Sequence, residues 1–356
     1  MLRKPSGDST LSQQMDTQDK TILVTGGTGF LGSRLVNCLH NETDYAIRLL
    51  VRSRSKAEKL FASLVDSSAR LQLIEGNLLS PEHCAKAVKG ISIIYHLAAG
   101  TGTKSFPEAF RNSVVTTRNL LDAAVADGSL ERIVNTSSFT VYTGRNKPKF
   151  GILDETCPEE AFSHERDAYT FAKSKQDELV REYGDNHNLP YVIVRPGVVY
   201  GPGKPGITSS RIGIDALGWF FHLGGSNQIP FTYKDNCAEA IMLTGLKADI
   251  EGEVFNIVDD APYTSRKFLK TYKHQIKKFR SAYVPRPLLY LGCYIWEKYC
   301  NWSHDQLPPI YNRRAYYAFW KKTRYSNKKL KRLTGWKQRV STGEGMKRFF
   351  QSCPEN

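Results

Sequence analysis

The stretch Thr25-Gly26-Gly27-Thr28-Gly29-Phe30-Leu31-Gly32 constrains this chain more than any other feature. It follows an apolar run, Thr21 to Thr25, and opens a helical pattern over Leu31 to His40. Glycines at a strand-to-helix turn allow a sharp bend and let an anion approach the backbone. The free N–H groups and the dipole of the helix then hold that anion. Gly26 is expected to make the tight turn, Gly29 to admit a pyrophosphate, and Gly32 to let helix and strand pack closely. A glycine-rich turn without a ligand is the bland alternative, and the strand–turn–helix context weighs against it.

The chain repeats that alternation as far as Val194. Further strands are expected at Ala46–Arg52, Leu71–Ile74, Ile91–Leu97, Arg132–Asn135 and Tyr191–Val194. Helices are expected at Lys56–Val65, Pro81–Lys89, Phe106–Asp127 and Tyr169–Tyr183. Uniformly apolar strands separated by helices indicate a parallel sheet covered on both faces. After Arg195-Pro196 a turn-rich loop begins at Gly201. A helix at Asp235–Leu246 and a strand at Val254–Val258 resume the alternation, and the basic remainder reads as mainly helical. Ser341-Thr342-Gly343-Glu344 has the form of a capping box for the last helix. The expected class is α/β, a Rossmann doubly wound parallel sheet with a smaller, mainly helical C-terminal substrate lobe. Residues 1–19 form a polar, disordered tail in this reading, and 20–200 the nucleotide domain, its sheet continued by 232–262. Segments 201–231 and 263–350 build the lobe.

Arg3 and Lys4 could begin a signal peptide, but no apolar segment follows them. No run reaches the ~20 apolar residues that span a bilayer. Seven dispersed cysteines without paired spacing suit a reducing cytoplasm and no metal site. The net charge of +15 is uneven: Arg266 to Arg348 holds 22 Lys/Arg against three acids. That region suits a phosphate-bearing substrate, peripheral contact with an anionic membrane, or solvent alone. No helix-turn-helix, RNP or zinc pattern supports specific nucleic-acid binding.

The end of the second strand decides which dinucleotide fits. A carboxylate there would bind ribose hydroxyls; Arg52 and Arg54 stand there instead and suit a 2′-phosphate. NADP is therefore favoured over NAD. Tyr169 and Lys173, four residues apart, share one helical face. An ammonium beside a phenol favours the phenolate and lowers its pKa, allowing proton exchange with a substrate hydroxyl or carbonyl. Ser138, after the fifth strand, could hold the same oxygen. Taken alone, the Tyr/Lys spacing is common in helices; its order after the glycine turn gives it weight. His96 reads as a structural or cofactor-wall residue rather than an acid/base, His222 as packing, and Lys104 as solvated rather than a substrate contact.

These motifs, with Glu75-Gly76-Asn77-Leu78, His96-Leu97-Ala98-Ala99, Arg195-Pro196-Gly197-Val198 and Thr334-Gly335-Trp336-Lys337, resemble the extended short-chain dehydrogenase/reductase family. That family includes nucleotide-sugar epimerases and dehydratases, 3β-hydroxysteroid dehydrogenases and dihydroflavonol reductases. The resemblance runs from about Lys20 to Phe350. It implies that Ser138 orients the substrate oxygen, Tyr169 is the acid/base, and Lys173 binds ribose and tunes Tyr169. It implies that Asn77 and Leu78 lie at the adenine, Ala98 and Ala99 along the cofactor, and Pro196 to Val198 near the nicotinamide. It also implies a homodimer through the two long helices. Asn77 replaces the usual Asp, Ser113 an Asn, and Thr116 a Gly, which bears on cofactor geometry more than on chemistry.

Three functions follow from these residues. One is oxidation or reduction of a secondary alcohol or ketone on a largely apolar, steroid-, isoprenoid- or flavonoid-like substrate. The apolar segment from Leu217 to Leu223 and the amphipathic one from Pro285 to Trp302 suit it. The second is epimerisation or reduction of a nucleotide-linked sugar; Phe139-Thr140 after Ser138 lacks the acidic pair of a dehydratase. The third is a non-catalytic NADP-binding scaffold, which would not need the phenol.

Overall fold

The computed structural model describes residues 20–67, 69–100, 105–145, 151–161, 163–203, 209–303 and 311–353. The expected tail, Lys104 and part of the loop after Gly201 lie outside them. Seven strands form one parallel sheet: β1 (Thr21–Thr25), β2 (Ala46–Val51), β3 (Leu71–Glu75), β4 (Ile93–His96), β5 (Arg132–Thr136), β6 (Tyr191–Pro196) and β7 (Val254–Ile257). Their order is β7-β6-β5-β4-β1-β2-β3. The chain reverses direction across the sheet between β1 and β4, which leaves a crevice beyond their carboxyl ends.

Alternation along each strand feeds two cores. Ile22 and Val24 point to one face, where the helices Gly32–Glu42 and Lys234–Leu246 cover them with Leu35, Val36 and Ile241. Leu23, Ile94, Ile133 and Ile193 point to the other, against Leu120, Leu121 and Val180 of the helices Thr116–Asp127 and Ala168–His187. Ser80 caps the helix that opens with Pro81, and Gly128 and Asn188 close two others in the left-handed conformation.

Two expected helices are interrupted. The one over Lys56–Val65 is two, Arg54–Leu60 and Ala62–Ser67, because Phe61 leaves helical geometry to bury its ring in the core. The long helix from Phe106 carries a π-turn at Arg111–Val115, which widens it by one residue before Thr116.

The C-terminal lobe is held by aromatic packing. Tyr200, Phe231, Phe268, Phe349 and Phe350 form its centre, around short paired strands such as Val198–Tyr200 with Phe231–Tyr233. Ser341 accepts from the Glu344 amide to start the helix Thr342–Gln351, as the capping pattern predicts. Trp336 is buried and donates its indole N–H to the Asn236 carbonyl, tying the lobe to the sheet.

Candidate active site

A cleft of about 500 Å³ occupies the crevice. Gly26, Thr28 and Gly29 form its floor, Asn77 and Leu78 one side, and Ala98 and Ala99 another. Gly26 has φ +72°, and a Cβ there would meet the Ala98 nitrogen at 2.8 Å. At Gly32 a Cβ would lie 2.2 Å from the Gly26 carbonyl, so this glycine clears the turn itself rather than the strand. The helix after it has no side-chain cap, and the positive end of its dipole starts at the turn that lines the cleft. Phe30 turns its ring toward Lys234, 5.4 Å away, and Leu31 packs on the core, so these two offer backbone rather than side chains.

Arg52 lines the cleft as expected, but Arg54 does not. Ser53 caps the helix Arg54–Leu60, and the first turn carries Arg54 away to Glu58 at 2.9 Å and toward the Leu73 carbonyl. The same turn brings Lys56 into the cleft beside Arg52. Read as a helix cap, Ser53 would have disclosed this in the sequence. The π-turn has a similar consequence. Asn112 and Thr116 line the cleft, while Ser113 is buried and accepts from the Gly100 amide at 3.0 Å.

Ser138, Tyr169 and Lys173 stand at the same sheet edge, one strand over from Ala98. Asp167 caps the helix Ala168–His187, accepting from Thr170 N–H at 2.8 Å, and so fixes where Tyr169 begins its turn. The Tyr169 phenol stands beside the Ser138 hydroxyl, and both residues are only partly buried. Burial raises the phenol above its ordinary value, and the neighbouring Ser138 hydroxyl opposes that rise. The expected lowering by Lys173 is not what governs it: that ammonium points at the Thr136 carbonyl, 2.6 Å, and at Gln176 Oε1, 2.8 Å. Burial holds Lys173 down to about 8, opposed by Asp177. Pro196 ends β6 nearby, and the Val198 amide donates to Pro230, whose carbonyl would lie 2.0 Å from a Cβ at Gly197.

Two buried networks hold this helix, and the sequence disclosed neither. Gln176 Nε2 donates to Thr117 Oγ1 at 2.7 Å, and Thr117 donates its one proton to the Ser113 carbonyl. His96 Nε2, 2.9 Å from the same oxygen, must therefore donate, leaving Nδ1 to accept from Thr25 Oγ1 at 2.7 Å. Burial first, and Lys173 second, push His96 down to about 3, so the ring stays neutral. One chain of hydrogen bonds thus joins the end of β1, beside the cleft, to Lys173. In the second network, Asp177 accepts from Asn135 at 3.1 Å, Ser137 at 2.7 Å and Arg195 at 3.0 Å. Arg195 also pairs with Glu159 at 2.6 Å and covers the Tyr142 ring. His222 is enclosed, as expected, against Ser265 and Tyr283.

The profile of the NAD dependent epimerase/dehydratase family matches residues 22–257, the whole sheet from β1 to β7. The chain is 25% identical over 258 residues to the decarboxylating sterol-4-alpha-carboxylate 3-dehydrogenase of Candida albicans, covering 68% of this chain and 71% of that one. It is 25% identical over 339 residues to the 4-hydroxy-2-methyl-3-oxo-4-farnesyl-3,4-dihydroquinoline-1-oxide ketoreductase of Stigmatella aurantiaca, covering 93% and 96%. The solved UDP-glucuronic acid 4-epimerase of Bacillus cereus, in complex with UDP-glucuronic acid and NAD, has the same fold. It superposes at a TM-score of 0.69 with 22% identity, over 93% of this chain and 98% of that one. With its glycine turn, its sheet order and its Ser/Tyr/Lys edge, the chain belongs to the NAD dependent epimerase/dehydratase family.

Proposed function

We propose that this chain is an NAD(P)-dependent oxidoreductase that interconverts a secondary alcohol and a ketone on a largely apolar substrate. The juxtaposition of Ser138, Tyr169 and Lys173 at the sheet edge that carries the glycine-lined cleft supports this reading most. The residues present fit a dinucleotide: glycine clearances and a helix N-terminus without a side-chain cap suit a pyrophosphate, and Arg52 with Lys56 suits a 2′-phosphate, favouring NADP. Bound there, the nicotinamide would give or take a hydride. Ser138 would orient the substrate oxygen and Tyr169 would exchange a proton with it. Lys173 would swing from Thr136 and Gln176 to the ribose and favour the phenolate. An apolar substrate agrees with Phe139 in place of an acid beside Ser138, and with the farnesylated substrate named for the relative matched nearly end to end. A homodimer through the helices 106–127 and 168–187 is part of the proposal.

A nucleotide-linked sugar is the second reading. Arg166 and Arg211, both buried, lie 4.9 and 4.7 Å from the Phe319 ring. Nε and Nη2 of Arg166 have no hydrogen-bond partner among the described residues. The test is NADPH oxidation with sterol and isoprenoid ketones, flavonoids and sugar nucleotides in parallel, with Tyr169→Phe as the blank. Turnover of an apolar ketone by the wild type alone is expected. Turnover of sugar nucleotides alone would reverse the order, and equal rates for Tyr169→Phe would remove the assignment of the phenol.

A further inference from the structure

The lobe after residue 263 carries an apolar face that the rest of the described chain leaves open. In the helix Arg286–Trp302, Leu289 and Cys293 are buried in a cluster with Leu223 and Trp320, and Cys300 is buried on the same side. The opposite side of a helix packed in this way is ordinarily polar. Here positions 288, 291, 295, 299 and 302 share one stripe by helical period. They are Leu, Leu, Ile, Tyr and Trp, exposed by 60, 50, 58, 47 and 75%. Lys298 is the charged residue within that stripe.

Tyr283, two residues before the N-cap of this helix and also exposed, joins the face to a basic groove. The Arg266 guanidinium lies 5.7 Å from the Tyr283 ring centre. Arg266, Lys270, Lys273, His274 and Lys278 line a groove of about 480 Å³, with no acidic residue among its described lining. From Arg266 to Arg348 the net charge is +19.

The occupant of this surface must meet two demands, an apolar phase for the stripe and negative charge for the cations around it. A second copy of the chain would meet the first and bring a like charge against the second. An anionic bilayer meets both. Its acyl boundary suits Leu288, Leu291 and Ile295, its headgroup level suits the Tyr299 and Trp302 rings, and its phosphates suit the lysines. Among the described residues no helix is long and apolar enough to cross a membrane, so this one would lie in the interface plane. We propose that the stripe of the helix Arg286–Trp302 and the adjoining basic groove dock this protein on an anionic lipid surface. The inference stands independently of the reaction at Tyr169.

Co-sedimentation of the full chain with phosphatidylcholine vesicles, and with phosphatidylcholine–phosphatidylglycerol vesicles, tests it. Pelleting is expected with the anionic vesicles alone, and high salt should weaken it. Leu291→Glu with Ile295→Glu should abolish pelleting, and Lys270→Glu with Lys278→Glu should weaken it about tenfold or more. Unchanged circular dichroism shows that each variant is folded. The lysine pair, on exposed positions, keeps the test open if the glutamates perturb the helix. Absence of pelleting on the anionic vesicles, equal pelleting on both kinds of vesicle, or equal pelleting of wild type and both variants, would overturn the proposal. Dissociation of an oligomer by the glutamate pair, with vesicle binding unchanged, would assign the stripe to a second copy and overturn it as well.

Discussion

In the cleft, one methyl group at Gly32 would stand 2.2 Å from the Gly26 carbonyl. Two strands away, Lys173 is held by two hydrogen bonds above a carboxylate and a guanidinium that are both almost wholly buried. The two regions share a sheet edge and differ in what sets them. Backbone clearance shapes the cleft, so its tolerance is steric and abrupt. Side-chain charge and hydrogen bonding place the helix that carries Tyr169 and Lys173, so its failures come in electrostatic increments and depend on pH. A fold of this kind can keep its glycine-lined cleft while the groups on that helix are retuned.

The strongest way to break that comparison is at Arg195. Arg195→Met leaves Asp177 buried with its carboxylate uncompensated, since burial already raises that group and Arg195 is the first influence opposing it. A loss of about 3–5 kcal/mol in urea denaturation is expected. A loss confined to a few tenths would mean that solvent reaches Asp177 and that the helix is not set by charge.

The cleft side is sharpened by Arg52→Ala and Lys56→Ala. Each should weaken NADPH by about 1.5–3 kcal/mol, the worth of a hydrogen bond to a charged group, and leave NADH nearly unchanged. Arg54→Ala, whose side chain is turned to Glu58, should change neither. Fluorescence titration of both cofactors decides. A larger effect at Arg54 than at Lys56 would contradict the placement of this helix turn.

The smallest expected effect is a displaced pH limb. Burial lowers Lys173 to about 8, so its ammonium is present below that pH and lost above it. NADPH affinity should fall as the pH rises through about 8. Gln176→Glu sets a carboxylate beside the ammonium, favours the charged form, and should move that limb upward by about one unit or more. A merely structural role for Gln176 would lower affinity at every pH and leave the limb in place.

Much of the first 200 residues was legible because strand period, glycine turn and helix caps are local signals. All seven strands of the sheet lie within a residue or two of where the alternation puts them. Arg54 reads as a cofactor residue because it neighbours Arg52 in sequence, whereas Ser53 begins a helix that rotates it away. Asn112 stayed hidden because a π-turn shifts the helical register by one residue, and nothing in Arg111-Asn112-Ser113-Val114-Val115 announces it. Gln176 and Asp177 were invisible for another reason: their partners Thr117, Ser137 and Arg195 are 18 to 59 residues distant in sequence. In the lobe, aromatic packing between distant segments leaves no periodic trace, so Tyr200, Phe268 and Phe349 read as unrelated residues.

A structure of the protein with NADPH tests the central claim most directly. The account predicts the pyrophosphate on the amides after Gly29, the adenosine ribose beside Arg52 and Lys56, and the nicotinamide ring facing the Tyr169 hydroxyl, with Lys173 turned to the ribose. A dinucleotide bound elsewhere, or a nicotinamide beyond the reach of Tyr169, would contradict it.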